Sequence, residues 1–131
     1  MYRDVYSGHL RLHGKEHSET LEDAHNYALS LITLRRFEEA KSLMRKTMPV
    51  AQRVLGKSHG NTLRIRLGYA MALYKDDGAT LDDLREAVTT LEDAERIARR
   101  VLGGAHPLTS AIEENLRKSR AALATREKEG S

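Results

Sequence analysis

Three histidines near the N-terminus recur every four residues, at His9, His13 and His17. On a helix this spacing would place three imidazoles on one face, which is an arrangement that can bind zinc. A glycine interrupts the segment, however, and no carboxylate accompanies the histidines as the zinc motif H-E-x-x-H requires. Because His17, His59 and His106 also occupy equivalent places in the repeat described below, we expect them to begin helices rather than to bind a metal.

The acidic residues offer no clearer catalytic or metal-binding pattern. Asp76, Asp77, Asp82 and Asp83 lie close together, but their spacing does not fit a calcium-binding EF-hand loop. The sequence also lacks a Gly-rich phosphate loop, a nucleophile elbow and a paired-carboxylate signature. It contains no cysteine, which excludes thiolate nucleophiles, disulfides and Cys-ligated metals. We therefore expect no enzymatic activity, no cofactor and no metal site.

The composition predicts an all-α protein. The chain has 131 residues, of which 40% are hydrophobic, and only two are proline. Leu, Ala, Arg, Lys and Glu are frequent, and these residues favour helices. No apolar run is long enough to cross a membrane, and the N-terminus has no apolar signal segment. We expect an intracellular, cytoplasmic protein.

An internal repeat is the main signal in the sequence. Gly14, Gly56 and Gly103 are each followed three residues later by a histidine, and the glycines lie 42 and 47 residues apart. A period of this length is typical of stacked helical hairpins, which bury their apolar faces against one another. A glycine supplies the left-handed conformation that ends a helix. Each segment therefore reads as a helix end, a short loop and a helix start.

Apolar residues between these segments recur at spacings of three and four, which is typical of one buried helical face. The first such pair of helices has the positions Leu21, Ala24, Ala28, Leu31 and Leu34, then Ala40, Leu43, Met44, Ala51, Val54 and Leu55. The second pair has Leu63, Leu67, Ala70 and Leu73, then Leu84, Ala87, Leu91, Ala94, Ala98, Val101 and Leu102. The five extra residues of this pair fall in a loop rich in Asp, Gly and Thr, which are turn and helix-capping residues.

These elements predict one domain over residues 1–125. It contains a partial unit at 1–13 that would be the remnant of a helix from Tyr2 to Leu12, full units at 14–55 and 56–102, and a final helix within 103–124. Residues 126–131 are expected to fray. Arg117 and Arg120 replace apolar residues of the earlier units, so the last helix would present the polar cap that repeat arrays need.

The repeated motifs resemble the tetratricopeptide repeat, in particular the 42-residue form found in kinesin light chains. The resemblance extends from about residue 2 to 123 and is carried by the segments Asn26–Leu31, Phe37–Ala40 and Val54–Leu63, with counterparts in the next unit. It implies about five helices plus the N-terminal partial helix. They would form antiparallel hairpins stacked in a right-handed superhelix, in which the first helix of each hairpin lines a concave groove that holds peptides.

We expect the chain to bind a protein or peptide through this groove, and an acidic peptide is one candidate. Asn side chains can bond a peptide backbone, and Arg or Lys can pair with carboxylates. The candidate positions lie opposite the packing face of the first helix of each unit: Glu22, Asn26, Arg64, Gly68, Asn115 and Lys118.

Two further functions remain open at this point. The chain could be a structural segment of a longer array, or could form homo-oligomers through the array ends. Residues 41–75 carry eight basic residues and no acidic one, whereas residues 76–95 carry eight acids and a single base. The basic stretch could bind nucleic acid or an anionic surface, but it contains no aromatic pattern for base stacking and is split between helices. We therefore expect nucleic acid not to be the ligand.

Overall fold

The computed structural model describes residues 18–129, which form five α-helices and, within that range, no strand. The helices are α1 (Ser18–Thr33), α2 (Phe37–Leu55), α3 (Gly60–Tyr74), α4 (Leu81–Val101) and α5 (Pro107–Glu129). The predicted all-α, repeat-type fold is confirmed. The predicted partial helix from Tyr2 to Leu12 and the trio His9, His13 and His17 lie outside the described residues.

The Gly–His segments at 56–59 and 103–106 end one helix and begin the next, as predicted, while the segment at 14–17 lies outside the described residues. Gly56 and Gly103 have φ of 95° and 90°, a backbone conformation that residues with side chains rarely adopt. At Gly56 ψ is 155°, so the chain leaves α2 in an extended direction rather than in the left-handed helical form. Three residues later, Nδ1 of His59 accepts a hydrogen bond from the Asn61 N–H at 3.1 Å and caps α3. His106 does the same for the N–H of Leu108 at 3.0 Å.

The longer loop between α3 and α4 is held by turn and capping bonds. The Asp76 carboxylate accepts from the Gly78 N–H at 2.9 Å. Thr80 caps α4 with its hydroxyl, which accepts from the Asp83 N–H, while the Asp83 carboxylate accepts from the Thr80 N–H. This reciprocal pair is a capping box, which satisfies two backbone donors that a helix start otherwise leaves without partners.

The helices pack in two rows. Each helix packs against the next in sequence, and in addition α1 packs against α3 and α3 against α5. The backbones of α2 and α4 do not pack against each other, although ion pairs such as Lys41–Asp83 link their side chains. The helices α1, α3 and α5 therefore form a continuous row, and α2 and α4 lie behind it. The core between the rows is largely aliphatic and rich in Ala, and includes Ala28, Met44, Leu63, Tyr69, Ala70, Leu73, Ala87, Leu91, Ala98 and Ile112. α2 runs through Pro49, which lies exposed on its surface.

Three predicted apolar positions are not in the core. Leu34 is 62% exposed because α1 ends at Thr33, one residue earlier. Val54 and Val101 are also exposed, whereas their neighbours Leu55 and Leu102 pack against the core. Successive helical residues point about 100° apart, so only one residue of each Val-Leu pair can face inward.

The last helix is longer than the sequence predicts. α5 continues to Glu129, whereas the sequence predicts an end at residue 124 and a frayed tail at 126–131. The added turn is held by Arg126, whose guanidinium donates to the Ala79 carbonyl and, at 3.0 Å, to the Asp77 carbonyl. These contacts join the end of α5 to the loop between α3 and α4. The exposed face of α5 carries Arg117 and Arg120, which are both ion-paired.

Candidate functional site

A cavity of about 240 Å³ lies between α1 and α3, the adjacent helices of the continuous row. We call it the inner cavity. Its α1 wall carries a carboxylate, an imidazole and an amide, and its α3 wall carries an amide, a guanidinium and one apolar residue. These residues are Glu22, His25 and Asn26, then Asn61, Arg64 and Ile65.

Three of the six predicted groove residues therefore meet at one place. Glu22 and Asn26 are one helical turn apart on α1, and Arg64 lies across from them on α3. Glu22 and Arg64 are exposed, and Asn26 is half-buried. No described residue forms an ion pair with either charged group. The inner cavity thus presents one available cation, one available anion and hydrogen-bonding amides.

Sequence reasoning missed His25 and Asn61 as parts of this site. Asn61 lies three residues before Arg64, so the same helical spacing that selected the other positions places it on the same face. Its backbone is fixed by the His59 cap at the start of α3. His25 lies beside Asn26, and no pattern in the sequence indicates that its ring turns toward α3.

The His25 ring explains why the predicted groove residue Gly68 does not line the cavity. Gly68 is buried, and a β-carbon placed there would lie 3.3 Å from both Cε1 and Nδ1 of His25. The imidazole therefore occupies the space that a side chain at position 68 would need. Burial, and to a smaller extent the nearby Arg64 charge, lower the pKa of His25 to about 4. His25 is neutral at pH 7, and its Nδ1 is buried without a hydrogen-bond partner among the described residues.

The remaining two predicted residues lie on α5, away from the inner cavity. The Asn115 amide donates to the Ala111 carbonyl at 2.8 Å, and its oxygen accepts from the Tyr74 hydroxyl. Lys118 is exposed and lies 3.9 Å from the Glu114 carboxylate. Asn115 is thus bonded within the protein, and the structure does not bring either residue to the site formed by α1 and α3.

The basic stretch 41–75 is partly neutralised by the acidic stretch that follows it. Lys41 lies 2.9 Å from Glu38 and 3.5 Å from Asp83, and its pKa is raised mainly by the hydrogen bond to Glu38. Arg45 donates to the Tyr69 hydroxyl at 2.9 Å and lies 3.6 Å from Glu86. These bases bridge adjacent helices, so they do not form a free basic surface.

Within residues 18–129 no three His, Asp or Glu side chains converge in a way that could hold a metal ion. In the same range no helix combines the length and the apolar character that crossing a membrane requires.

Comparison with known proteins identifies the repeat. A model of the tetratricopeptide repeat family matches residues 24–61, which cover most of α1, the whole of α2 and the start of α3. No curated protein matches the chain. The match supports a repeat protein of the tetratricopeptide type, and it is roughly in line with the light-chain form that the sequence resembles. Tetratricopeptide repeats generally mediate protein–protein interaction, and the family is a non-enzymatic repeat scaffold.

Proposed function

We propose that the chain is a protein-interaction module, not an enzyme, and that its inner cavity holds an acidic side chain of a partner peptide. The observation that carries the proposal is Arg64, an exposed guanidinium with no ion pair among the described residues. By contrast, Lys41, Arg45 and Arg66 on the neighbouring helix faces each have a carboxylate within 4.0 Å. A guanidinium binds a carboxylate with two parallel hydrogen bonds, which gives both affinity and orientation.

The other groups of the inner cavity suit a peptide backbone. Asn26 and Asn61 each offer an amide donor and an acceptor, so they can bond a peptide N–H and a peptide C=O. Glu22, at the opposite wall, would accept from an N–H or a basic side chain. The volume of about 240 Å³ is below the range of about 300–1,000 Å³ that is typical of small-molecule sites. It fits one inserted side chain better than an entire metabolite.

The structure favours this function over the two alternatives. Stacking of further repeats on α5 would require an apolar outer face, but that face carries Glu114, Arg117 and Lys118 in mutual ion pairs. Nucleic-acid binding through residues 41–75 would require several free bases on one surface. Lys41 and Arg45 are instead paired with acids of α2 and α4.

Peptide selection tests the proposal. A displayed random peptide library would be selected on the immobilised protein, and the affinity of an enriched peptide measured by calorimetry with Arg64→Gln and with Lys57→Gln as a matched exposed control. We expect enrichment of Asp or Glu, and a loss of about tenfold in affinity for Arg64→Gln alone. Equal affinity of both variants, or enriched peptides without acids, would overturn the proposal.

A further inference from the structure

A second and larger cavity, of about 900 Å³, lies along α4 and shares no residue with the inner cavity. It is lined by Thr89, Thr90 and a set of charged residues from α3, α4 and α5, which comprises five arginines and three carboxylates. These charged residues are Arg66, Arg96, Arg99, Arg100, Arg120, Glu92, Asp93 and Glu95.

On one side of this cavity two arginines are paired with three carboxylates. Arg120 lies 2.9 Å from Glu92, and Arg99 pairs with Glu95 and with Glu113 of α5. The other side contains Arg66, Arg96 and Arg100 around the single carboxylate of Asp93. We call these three residues the arginine corner.

In the arginine corner two guanidiniums share hydrogen bonds to one carboxylate. Asp93 accepts from Arg66 at 2.6 Å and from Arg96 at 3.0 Å, and the bond from Arg66 is the main cause of its lowered pKa. Arg100 has no ion pair among the described residues. Because Asp93, Arg96 and Arg100 are spaced at three and seven residues, they lie along the same face of α4. Three positive charges and one negative charge leave a surplus of two.

Arg66 shows that the surplus is built into the fold. The residue is only 7% exposed, yet Nε and Nη1 of its guanidinium have no hydrogen-bond partner in residues 18–129. A buried guanidinium with a single carboxylate bond is costly, and it is satisfied better when further negative charge lies nearby. The equivalent positions of the neighbouring repeats are Ala24 and Glu113, so the repeat fold itself does not require an arginine here.

We propose that the arginine corner binds the phosphate group of a phosphomonoester or free phosphate. Such a group carries about −1.5 to −2 charges at pH 7 and three acceptor oxygens, which matches the surplus of two charges. The ion would lie against the exposed guanidiniums of Arg96 and Arg100, with the charge of Arg66 behind them. A phosphodiester carries a single charge and a carboxylate has two oxygens, so both match less well.

The test is a calorimetric titration of the full chain with O-phosphoserine, inorganic phosphate and diethyl phosphate, at ionic strength held constant with NaCl. Arg100→Gln removes the arginine that has no ion pair, so its folding should be unaffected. Arg96→Gln has a matched control in Arg117→Gln. Both arginines pair with a carboxylate three residues earlier, and their side chains are 68% and 69% exposed.

We expect saturable binding of O-phosphoserine that weakens about tenfold in Arg100→Gln and in Arg96→Gln and changes less than about twofold in Arg117→Gln. Tighter binding of O-phosphoserine than of inorganic phosphate would support the proposal with a phosphorylated side chain as the source, and the reverse order would support it with free phosphate. Absence of saturable binding, an equal effect of Arg117→Gln, or equal binding of diethyl phosphate would overturn it. None of these outcomes depends on the inner cavity, so the proposed function is tested separately.

Discussion

Replacing Gly68 by Ala tests the packing of the His25 ring against α3. In an ordinary helix interior this change stabilises a protein by about 1 kcal/mol, because Gly loses more backbone entropy on folding. Here the new β-carbon would meet the His25 ring at 3.3 Å, closer than the usual contact of about 3.5–4.0 Å. Overpacking of this kind costs about 1–3 kcal/mol. Since the ring needs to move by only a fraction of an ångström, we take the lower value.

The two effects then nearly cancel. We expect Gly68→Ala to change the free energy of unfolding by between zero and about 1 kcal/mol of destabilisation in the wild-type background. In a His25→Ala background the ring is absent, so the same change should stabilise by about 1 kcal/mol. The coupling between the two positions would be about 1–2 kcal/mol, above the deviation of about 0.5 kcal/mol seen for independent sites.

Urea unfolding of the four proteins of this cycle, followed by circular dichroism, measures the coupling. The slope of the unfolding free energy against urea concentration should be the same in all four proteins, because none of the substitutions greatly alters the surface exposed on unfolding. If Gly68→Ala stabilises equally in both backgrounds, His25 does not restrict position 68. The His25 ring would then not account for the absence of a side chain at position 68.

Three further predictions concern stability. The unfolded state takes up a proton at His25 below pH 6.5, whereas the folded state does so only below about 4. Between pH 7 and 4 the free energy of unfolding, measured with urea, should therefore fall by up to roughly 3 kcal/mol more in the wild-type protein than in His25→Gln. Equal losses in the two proteins would refute the burial of a neutral ring. Arg126→Ala should cost about 1–2 kcal/mol and speed amide exchange at Asp77 and Ala79, which unchanged exchange would contradict. Thr80→Ala should lower the thermal midpoint through the loss of about 1 kcal/mol, whereas Thr80→Ser retains the cap and serves as its control.

The local parts of the fold were predictable from the sequence. A helix end at Gly56 and a helix start at His59 depend on a few consecutive residues, and so does the capping of α4 at Thr80. Because these short patterns recur along the chain, they predict where the helices begin and end. The apolar spacing identified most core positions, but it failed at Leu34 because a helix ended there.

The long-range parts were not predictable. The end of α5 depends on Arg126, whose acceptors lie 47 and 49 residues earlier. Asn115 is bonded to Tyr74, which is 41 residues away, and no sequence pattern links the two.

For the candidate site, the spacing of residues predicts which face of each helix lines the cavity. It does not predict which residues of the neighbouring helix lie opposite that face. Glu22, Asn26 and Arg64 meet at the inner cavity, in agreement with the face that the spacing selects. His25 was missed because the direction of its ring is set by the space above Gly68 on another helix.

The central claim, that a partner peptide binds between α1 and α3, is tested most directly by NMR. Backbone amide shifts would be followed while a selected acidic peptide is added to the ¹⁵N-labelled chain. We predict that the largest changes map to Asn26, Asn61 and Arg64, and that the amides of α4 change little. Changes concentrated on α4 or on the outer face of α5, with the residues of the inner cavity unaffected, would contradict the claim.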